Sequence, residues 1–255
     1  MNTKNYAKFC ALHDHNAPLQ LVNIWDAAGA RILSKMGAKA IATSSAAIAW
    51  SLGYADGYQM PQEQLLAAIE RIIRVTELPV TIDIENGYSD VPETVATLCS
   101  TLTDMGVVGI NLEDGLQPAE GLSDKISAIN AMTSQLFINA RTDVFLHNAS
   151  NETLMSEETL RRAHLYRAAG ANGLFVPGLS NLQIARTIAQ QIQLPLNLMV
   201  TQQDDMKQAR QASIARISMG PAPFLMAYSG LIALQDDSAQ HHTPLQYETM
   251  QNYLG

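Results

Sequence analysis

Eight short apolar runs rich in β-branched residues alternate along the chain with longer segments of helical period. The runs are LQLVNIW (19–25), AKAIAT (38–43), LPVTIDIE (78–85), VVGINLE (107–113), QLFINAR (135–141), NGLFVPG (172–178), LPLNLMV (194–200) and SIARISM (213–219). Runs of this length and composition read as buried strands. Between them, PQEQLLAAIERIIRVTE (61–77) sets Leu65, Leu66, Ile69, Ile72 and Ile73 on one helical stripe. SEETLRRAHLYRAAGA (156–171) ends in Ala169-Gly170-Ala171, with glycine where a helix stops. Strands alternating with helices form parallel βαβ units. Eight of them in about 220 residues predict an α/β fold, a closed (β/α)8 TIM barrel. An open doubly wound sheet would carry a glycine-rich phosphate turn after its first strand, and WDAAGAR has a single glycine there. No linker or low-complexity tract interrupts the chain, so residues 1–255 read as one barrel domain. A helical extension covers about 221–255, with Pro244–Leu254 as its last helix.

Composition narrows the partners. The apolar share of 47% supports a sizeable core. Sixteen Lys and Arg against 24 Asp and Glu give a net charge of −8, with no basic cluster. Neither nucleic acid nor an anionic membrane is expected as a partner. No apolar run is long enough to span a bilayer, and the N-terminal stretch lacks the apolar core of a secretory signal. Cys10 and Cys99 cannot build a disulfide framework, so a reducing cytoplasm is the expected location.

In a closed parallel barrel, chemistry sits at the C-terminal strand ends, and here those ends are polar and mainly acidic. Strand 1 ends in Asn23 and Asp26, and strand 2 in Thr43, Ser44 and Ser45. Strand 3 ends in Asp83 and Glu85, strand 4 in Asn111, Glu113 and Asp114, and strand 5 in Asn139, Arg141 and Asp143. Strand 7 carries Asn197, whereas strand 6 ends in Val176-Pro177-Gly178 with no acid. Asp83 and Glu85, two apart, share a strand face. With Glu113 they form an excess of hard oxygen donors near one cation, Arg141, as Mg²⁺ or Mn²⁺ requires. A general acid/base role for the Asp83–Glu85 pair is the alternative. The Arg141 fork suits a carboxylate or phosphate, or an ion pair with Asp143 or Glu113. Ser44-Ser45 can cradle an anion at a helix start or serve as a plain N-cap. His13, His15, His147, His164, His241 and His242 fall away from the strand ends and read as loop or surface residues.

Four segments together resemble the isocitrate lyase/phosphoenolpyruvate mutase superfamily: NIWDAAGARI, ATSSAAIAWSLGYADG, TIDIENGYSD, and the strand ends INLEDG and INARTD. The likeness runs from about Leu21 to Leu234 and rests on their order and spacing. It implies a barrel that binds Mg²⁺ and a small 2-oxo acid or its enolate. By this resemblance Ser44 and Ser45 hold the substrate carboxylate, and Trp25 and Asp26 line the pocket floor. Asp56 and Asp83 lie close to metal and substrate, and Glu85 and Glu113 bind Mg²⁺ through water. Arg141 contacts the substrate's oxygens. The candidate catalytic residues are thus Arg141, Asp56 and Glu113, and the candidate metal ligands are Asp83, Glu85 and Glu113. Trp25, Asp26, Ser44, Ser45, Asp83, Arg141 and Asn197 are the substrate-binding candidates.

The chain also departs from the superfamily. The lyases carry a catalytic Cys in a K-K/R-C-G-H loop after the I-E-D strand, whereas the loop here reads GLQPAEGLSDK. Lys125 belongs to the helix that follows it. Cys99, in the helix before strand 4, cannot substitute. Glycines flank the loop from Gly115 to Ser123, which is expected to act as a lid, with Glu120 as a candidate acid. This pattern resembles the branch near the oxaloacetate decarboxylases and 2-oxo-acid lyases. The expected activity is Mg²⁺-dependent C–C bond cleavage of a small 2-oxo carboxylic acid through a metal-stabilised enolate. The alternatives are P–C chemistry, as a phosphonopyruvate/phosphoenolpyruvate mutase or hydrolase, and a 2-oxo-acid-binding barrel with little turnover. The resemblance further implies a homodimer or homotetramer in which a C-terminal helix swaps onto the neighbour.

Overall fold

A computed structural model describes residues 2–147, 151–209, 214–235 and 244–254. The first apolar run breaks at Val22 into β1 (Leu19–Leu21) and β2 (Asn23–Ile24). The other strands are β3 (Ile41–Thr43), β4 (Val80–Asp83), β5 (Gly109–Glu113), β6 (Phe137–Arg141), β7 (Gly173–Val176), β8 (Leu196–Met199) and β9 (Arg216–Ser218). All pair in parallel, in the order β1-β9-β8-β7-β6-β5-β4-β3-β2. Because β1 and β2 are consecutive pieces of one run, the sheet returns to its starting stave, and the nine segments form the expected eight-stave barrel. The helices are α1 (Asn2–Ala11), α2 (Ala27–Lys35), α3 (Ser45–Ser51), α4 (Gln62–Ile73), α5 (Pro92–Met105), α6 (Ala119–Met132), α7 (Val144–His147), α8 (Glu152–Ala168), α9 (Leu182–Ile192), α10 (Gln203–Ala209), α11 (Ala222–Gln235) and α12 (Tyr247–Leu254).

Strand parity sorts the barrel into two environments. Ile82, Ile110, Leu112, Ile138, Leu174, Leu196, Leu198 and Ile217 belong to one large apolar core together with Leu65, Ile69 and Ile72 of α4 and Ile188 of α9. The alternate residues face the lumen, where Asn111, Asn139, Asn197 and Ser218 hydrogen-bond to one another. A side chain leaving water must find a partner, so this polar lumen holds a connected amide network.

The N-terminal end of the barrel is closed by α1, an element the strand pattern does not announce. Phe9 is fully buried and meets Phe137 edge-on at 5.4 Å. His13 stacks on Phe137 at 4.1 Å and bonds the Phe9 carbonyl. It is the loop residue expected, but that loop packs on the barrel floor, and burial pushes its imidazole down to about 3. Gly109 is required here, since a Cβ on it would lie 2.7 Å from the Phe9 ring and 2.9 Å from Thr81 Oγ1. His241 and His242 lie outside the described residues.

At the opposite end α12 packs on its own chain. Gln251 accepts from Trp50 Nε1 at 3.0 Å and from the Asp56 amide at 2.9 Å. Among the described residues no helix is long and apolar enough to cross a membrane.

Candidate active site at the C-terminal strand ends

Asp83, Glu85, Glu113 and Arg141 come together because β4, β5 and β6 are neighbours in register: Asp83 pairs with Asn111 and Glu113 with Arg141. Arg141 Nη1 lies 2.6 Å from Glu113 Oε2 and 4.0 Å from Asp83 Oδ2. Its other edge is a bidentate fork on Asp143, with Nε donating at 2.6 Å and Nη2 at 3.0 Å. Asp83 Oδ1 accepts the Glu85 amide at 3.0 Å, and the Asp83 amide donates to Thr43 Oγ1 at 3.1 Å.

Tyr58 completes the group. Its amide donates to Glu85 Oε2 at 2.6 Å and its hydroxyl to Glu113 Oε1 at 2.7 Å. The non-glycine residues with positive φ include Tyr58 (67°), Glu85 (53°), Tyr88 (60°) and Leu116 (63°), all on loops at this end of the barrel. Each such conformation costs on the order of 1 kcal/mol and persists where the surroundings enforce it, which is common at functional sites.

The electrostatics follow from burial. Asp83, Glu85 and Glu113 are all under 10% exposed. Burial raises Glu85 to about 8, and Asp56, Asp83 and Glu113 add to that rise. Burial also raises Glu113 to about 7, against the opposing pull of Arg141. Asp83 is raised by burial too, with Arg141 and its donors opposing. Asp83, Glu113 and Asp143 thus surround one guanidinium while Glu85 stands among carboxylates, and protons are retained where negative charge is in excess.

The donor set fits a hard divalent cation. Every donor is an oxygen, the group carries surplus negative charge, and the buried Tyr88 hydroxyl stands against Glu85. Glu85, Asp83 and Asp56 are the charges acting on that hydroxyl. Among the described residues no three His, Cys, Asp or Glu side chains converge tightly enough to ligate one ion directly.

The remaining sequence candidates are more dispersed. Ser44 and Ser45 are buried at the start of α3, and Ser44 Oγ accepts the Ala47 amide as an N-cap. Asp56 accepts from the Tyr247 hydroxyl at 2.6 Å and reaches the carboxylates through its charge. Trp25 packs edge-on against Phe224. Asp26 is exposed and caps α2 through the Gly29 amide. Asn197 lies deeper in the lumen, bonded to Asn139 and Ser218. Tyr58 and Tyr88 were not among the candidates; the one signal for them was their place beside Asp56 and Glu85.

The expected lid from Gly115 to Ser123 is not a free loop. Helix α6 begins at Ala119, and Glu120 sits in its first turn. The preceding turn is pinned by Asp114, whose Oδ1 accepts the amides of Leu116 and Asp143, each at 3.2 Å. Its Oδ2 accepts from Arg162 Nη1 at 2.8 Å and from the Tyr166 hydroxyl at 2.6 Å. Arg162 also donates to the Gln117 carbonyl at 2.9 Å. Lys125 lies in α6, as expected, and donates to the Asn86 carbonyl at 2.9 Å.

The fold and site thus define a (β/α)8 barrel with a carboxylate-rich, single-arginine centre at its C-terminal strand ends. The profile of the phosphoenolpyruvate phosphomutase family matches residues 9–237, and the chain belongs to that family. It is 39% identical to a protein of Burkholderia cenocepacia J2315 described as a candidate phosphonomutase. That solved structure superposes with a TM-score of 0.88 over 91% of this chain and 99% of the other. An uncharacterized Mycobacterium tuberculosis protein is 31% identical over 85% of this chain and 83% of its own length. A 2-methylisocitrate lyase of Halalkalibacterium halodurans is 28% identical over 74% of this chain and 65% of its own length. The chain is therefore an enzyme of a superfamily of lyases and mutases.

Proposed function

We propose that the chain cleaves a C–C bond of a small 2-oxo carboxylic acid with the help of Mg²⁺. The observation that carries this reading is the buried group of Asp83, Glu85 and Glu113, with Arg141 facing Asp83 and Glu113. Ser44 and Ser45 orient the substrate carboxylate. Arg141 keeps Nε and Nη2 on Asp143, and Nη1, which pairs with Glu113, has a second N–H that can meet an oxyanion. As the bond breaks, its electron pair moves onto the 2-oxo oxygen, and a cation preorganised beside that oxygen lowers the barrier. A bound Mg²⁺ would add electrophilic polarisation of the same group, held by Asp83 and, through water, by Glu85 and Glu113. Tyr58 covers the carboxylates and limits water.

The test is a thermal-shift screen with Mg²⁺ over pyruvate, oxaloacetate, 2-oxoglutarate, phosphonopyruvate, 2-methylisocitrate and oxalate, followed by turnover of each hit. A metal-dependent hit with carbon–carbon cleavage, lost in Glu113→Gln, is expected. Phosphonopyruvate turnover would instead favour P–C chemistry, the reading that the 39% identity to a candidate phosphonomutase supports. Tight binding with no product would favour a binding barrel. No metal-dependent shift from any ligand would overturn the site assignment.

Self-association and a cytoplasmic location are part of the same reading. Met226, Leu231 and Leu234 of α11 are 65%, 60% and 85% exposed, an apolar face suited to a second copy. Light scattering coupled to gel filtration should give a dimer or tetramer mass, and a monomer at assay concentration would refute it.

A further inference from the structure

Arg216 lies in the barrel lumen on β9 and is 1% exposed. A guanidinium has five N–H donors, and among the described residues this one makes a single side-chain bond, from Nη2 to Asn111 Oδ1 at 3.1 Å. Nε and Nη1 are buried with no partner among the described residues. Among the described residues no carboxylate lies within ion-pair distance of it. A buried cation so poorly satisfied costs stability, and apolar replacements of buried charges are often neutral or stabilising. Stability therefore does not account for it.

Its one bond leads to the site. Asn111 Oδ1 also accepts from Asn139 Nδ2 at 2.9 Å, and Asn139 donates again to Asn197 Oδ1 at 3.1 Å. Asn197 Nδ2 is committed to the Leu198 carbonyl at 2.7 Å and to Ser218 Oγ at 3.1 Å. A guanidinium can only donate, so the Asn111 oxygen must face Arg216. The Asn111 amino group is then directed to Asp83 Oδ2, 3.5 Å away. Arg216 thus removes the flipped alternative, in which an oxygen would face the Asp83 carboxylate. Burial lowers Arg216 to about 9, with Asp83 the charge that opposes this, so it stays cationic at neutral pH.

We propose that Arg216 is a positioning residue and the second cation of the site, orienting Asp83 through Asn111 and favouring an anionic ligand from beneath. The inference rests on the proposed function and deepens it. The probe is oxalate, a planar dianion that resembles the enolate of a 2-oxo acid, titrated calorimetrically with Mg²⁺ present. Arg216→Met is expected to melt at or above the wild-type temperature yet bind oxalate 10- to 100-fold more weakly, roughly the loss typical when a metal site loses an outer partner. Arg216→Lys, which keeps the charge but not the planar fork, should recover part of that loss. Wild-type oxalate affinity in folded Arg216→Met overturns the inference and leaves the proposed function standing. A wild-type protein that does not bind oxalate with Mg²⁺ overturns both. Should Arg216→Met not fold, Arg216→Lys decides: a several-fold weaker oxalate complex is expected, and wild-type affinity overturns the role.

Discussion

Asp114→Asn tests whether the turn beside Arg141 is held by a buried charge. The Asp114 side chain is fully buried and accepts four donors: the Leu116 and Asp143 amides, Arg162 Nη1 and the Tyr166 hydroxyl. Asparagine keeps the volume but has one acceptor oxygen, so two of the four donors lose their partner and face an amino group instead. Two orphaned buried donors cost about 2–6 kcal/mol at 1–3 kcal/mol each. Removing one partner of a buried ion pair costs about 3–5 kcal/mol. Arg162 retains Glu158 at 2.7 Å and the Gln117 carbonyl, which places the expected loss near the lower end, about 3 kcal/mol. For a chain of this size that corresponds to a fall in Tm of roughly 6–12 °C. The assay is thermal and urea unfolding followed by circular dichroism, with Tyr166→Phe as a milder control that removes one donor. The Leu116 and Asp143 amides keep the remaining oxygen, so the bidentate Arg141 fork should hold and oxalate binding should change little. A stability within about 1 kcal/mol of wild type would refute the reasoning, since it would mean that the four short contacts are not satisfied by charge.

Three further outcomes follow from the same physics. Glu85 and Glu113 have folded values raised above their ordinary value of 4.5, so their contribution to stability is fully present below about 4.5 and is lost as pH rises through about 7 and then about 8. In EDTA the Tm should therefore fall across that window, and the gain in Tm on adding Mg²⁺ should be larger above about pH 8 than below about pH 7; a pH-independent gain would count against these carboxylates as the ligands. Gly178→Ala should destabilise by more than about 2 kcal/mol, because φ is +81° and the new Cβ would sit 2.6 Å from the Phe145 carbonyl oxygen and 2.9 Å from Leu146 Cα, both backbone atoms. Phe9→Ala should cost about 3–5 kcal/mol in urea unfolding, and a loss below about 1 kcal/mol would show that α1 does not seal the barrel floor.

Much of the site was legible because strand parity is a local property. Asn139 and Arg141 two apart, and Asn111 and Glu113 two apart, had to share faces, and the neighbouring order of their strands followed from βαβ connectivity; Glu85 lies past the end of β4 with φ 53° and joins Asp83 through its turn instead. The ion pairs of Arg141 with Glu113 and Asp143 were open as an alternative, and both form. What was not legible came from outside the strands. Tyr58 reaches Glu85 and Glu113 from a segment whose own pattern is that of an ordinary turn. His13 reads as a loop residue and is one, but only the fold of α1 under β6 stacks that loop on Phe137. The segment with glycines at both ends reads as a lid until Asp114 meets Arg162 and Tyr166, which lie 48 and 52 residues away.

The chain's periodicities by themselves determined the number of staves, their parallel pairing and the clustering of acids at one end, because alternation in a strand and the 3.6-residue repeat of a helix are set by backbone geometry. Barrel closure decided that Arg141 would hold Glu113 and Asp143 together, that Arg216 would be buried with one side-chain hydrogen bond among the described residues, and that Tyr58 would bridge Glu85 and Glu113. Burial and charge coupling depend on distances across the lumen, and no spacing along the chain encodes them.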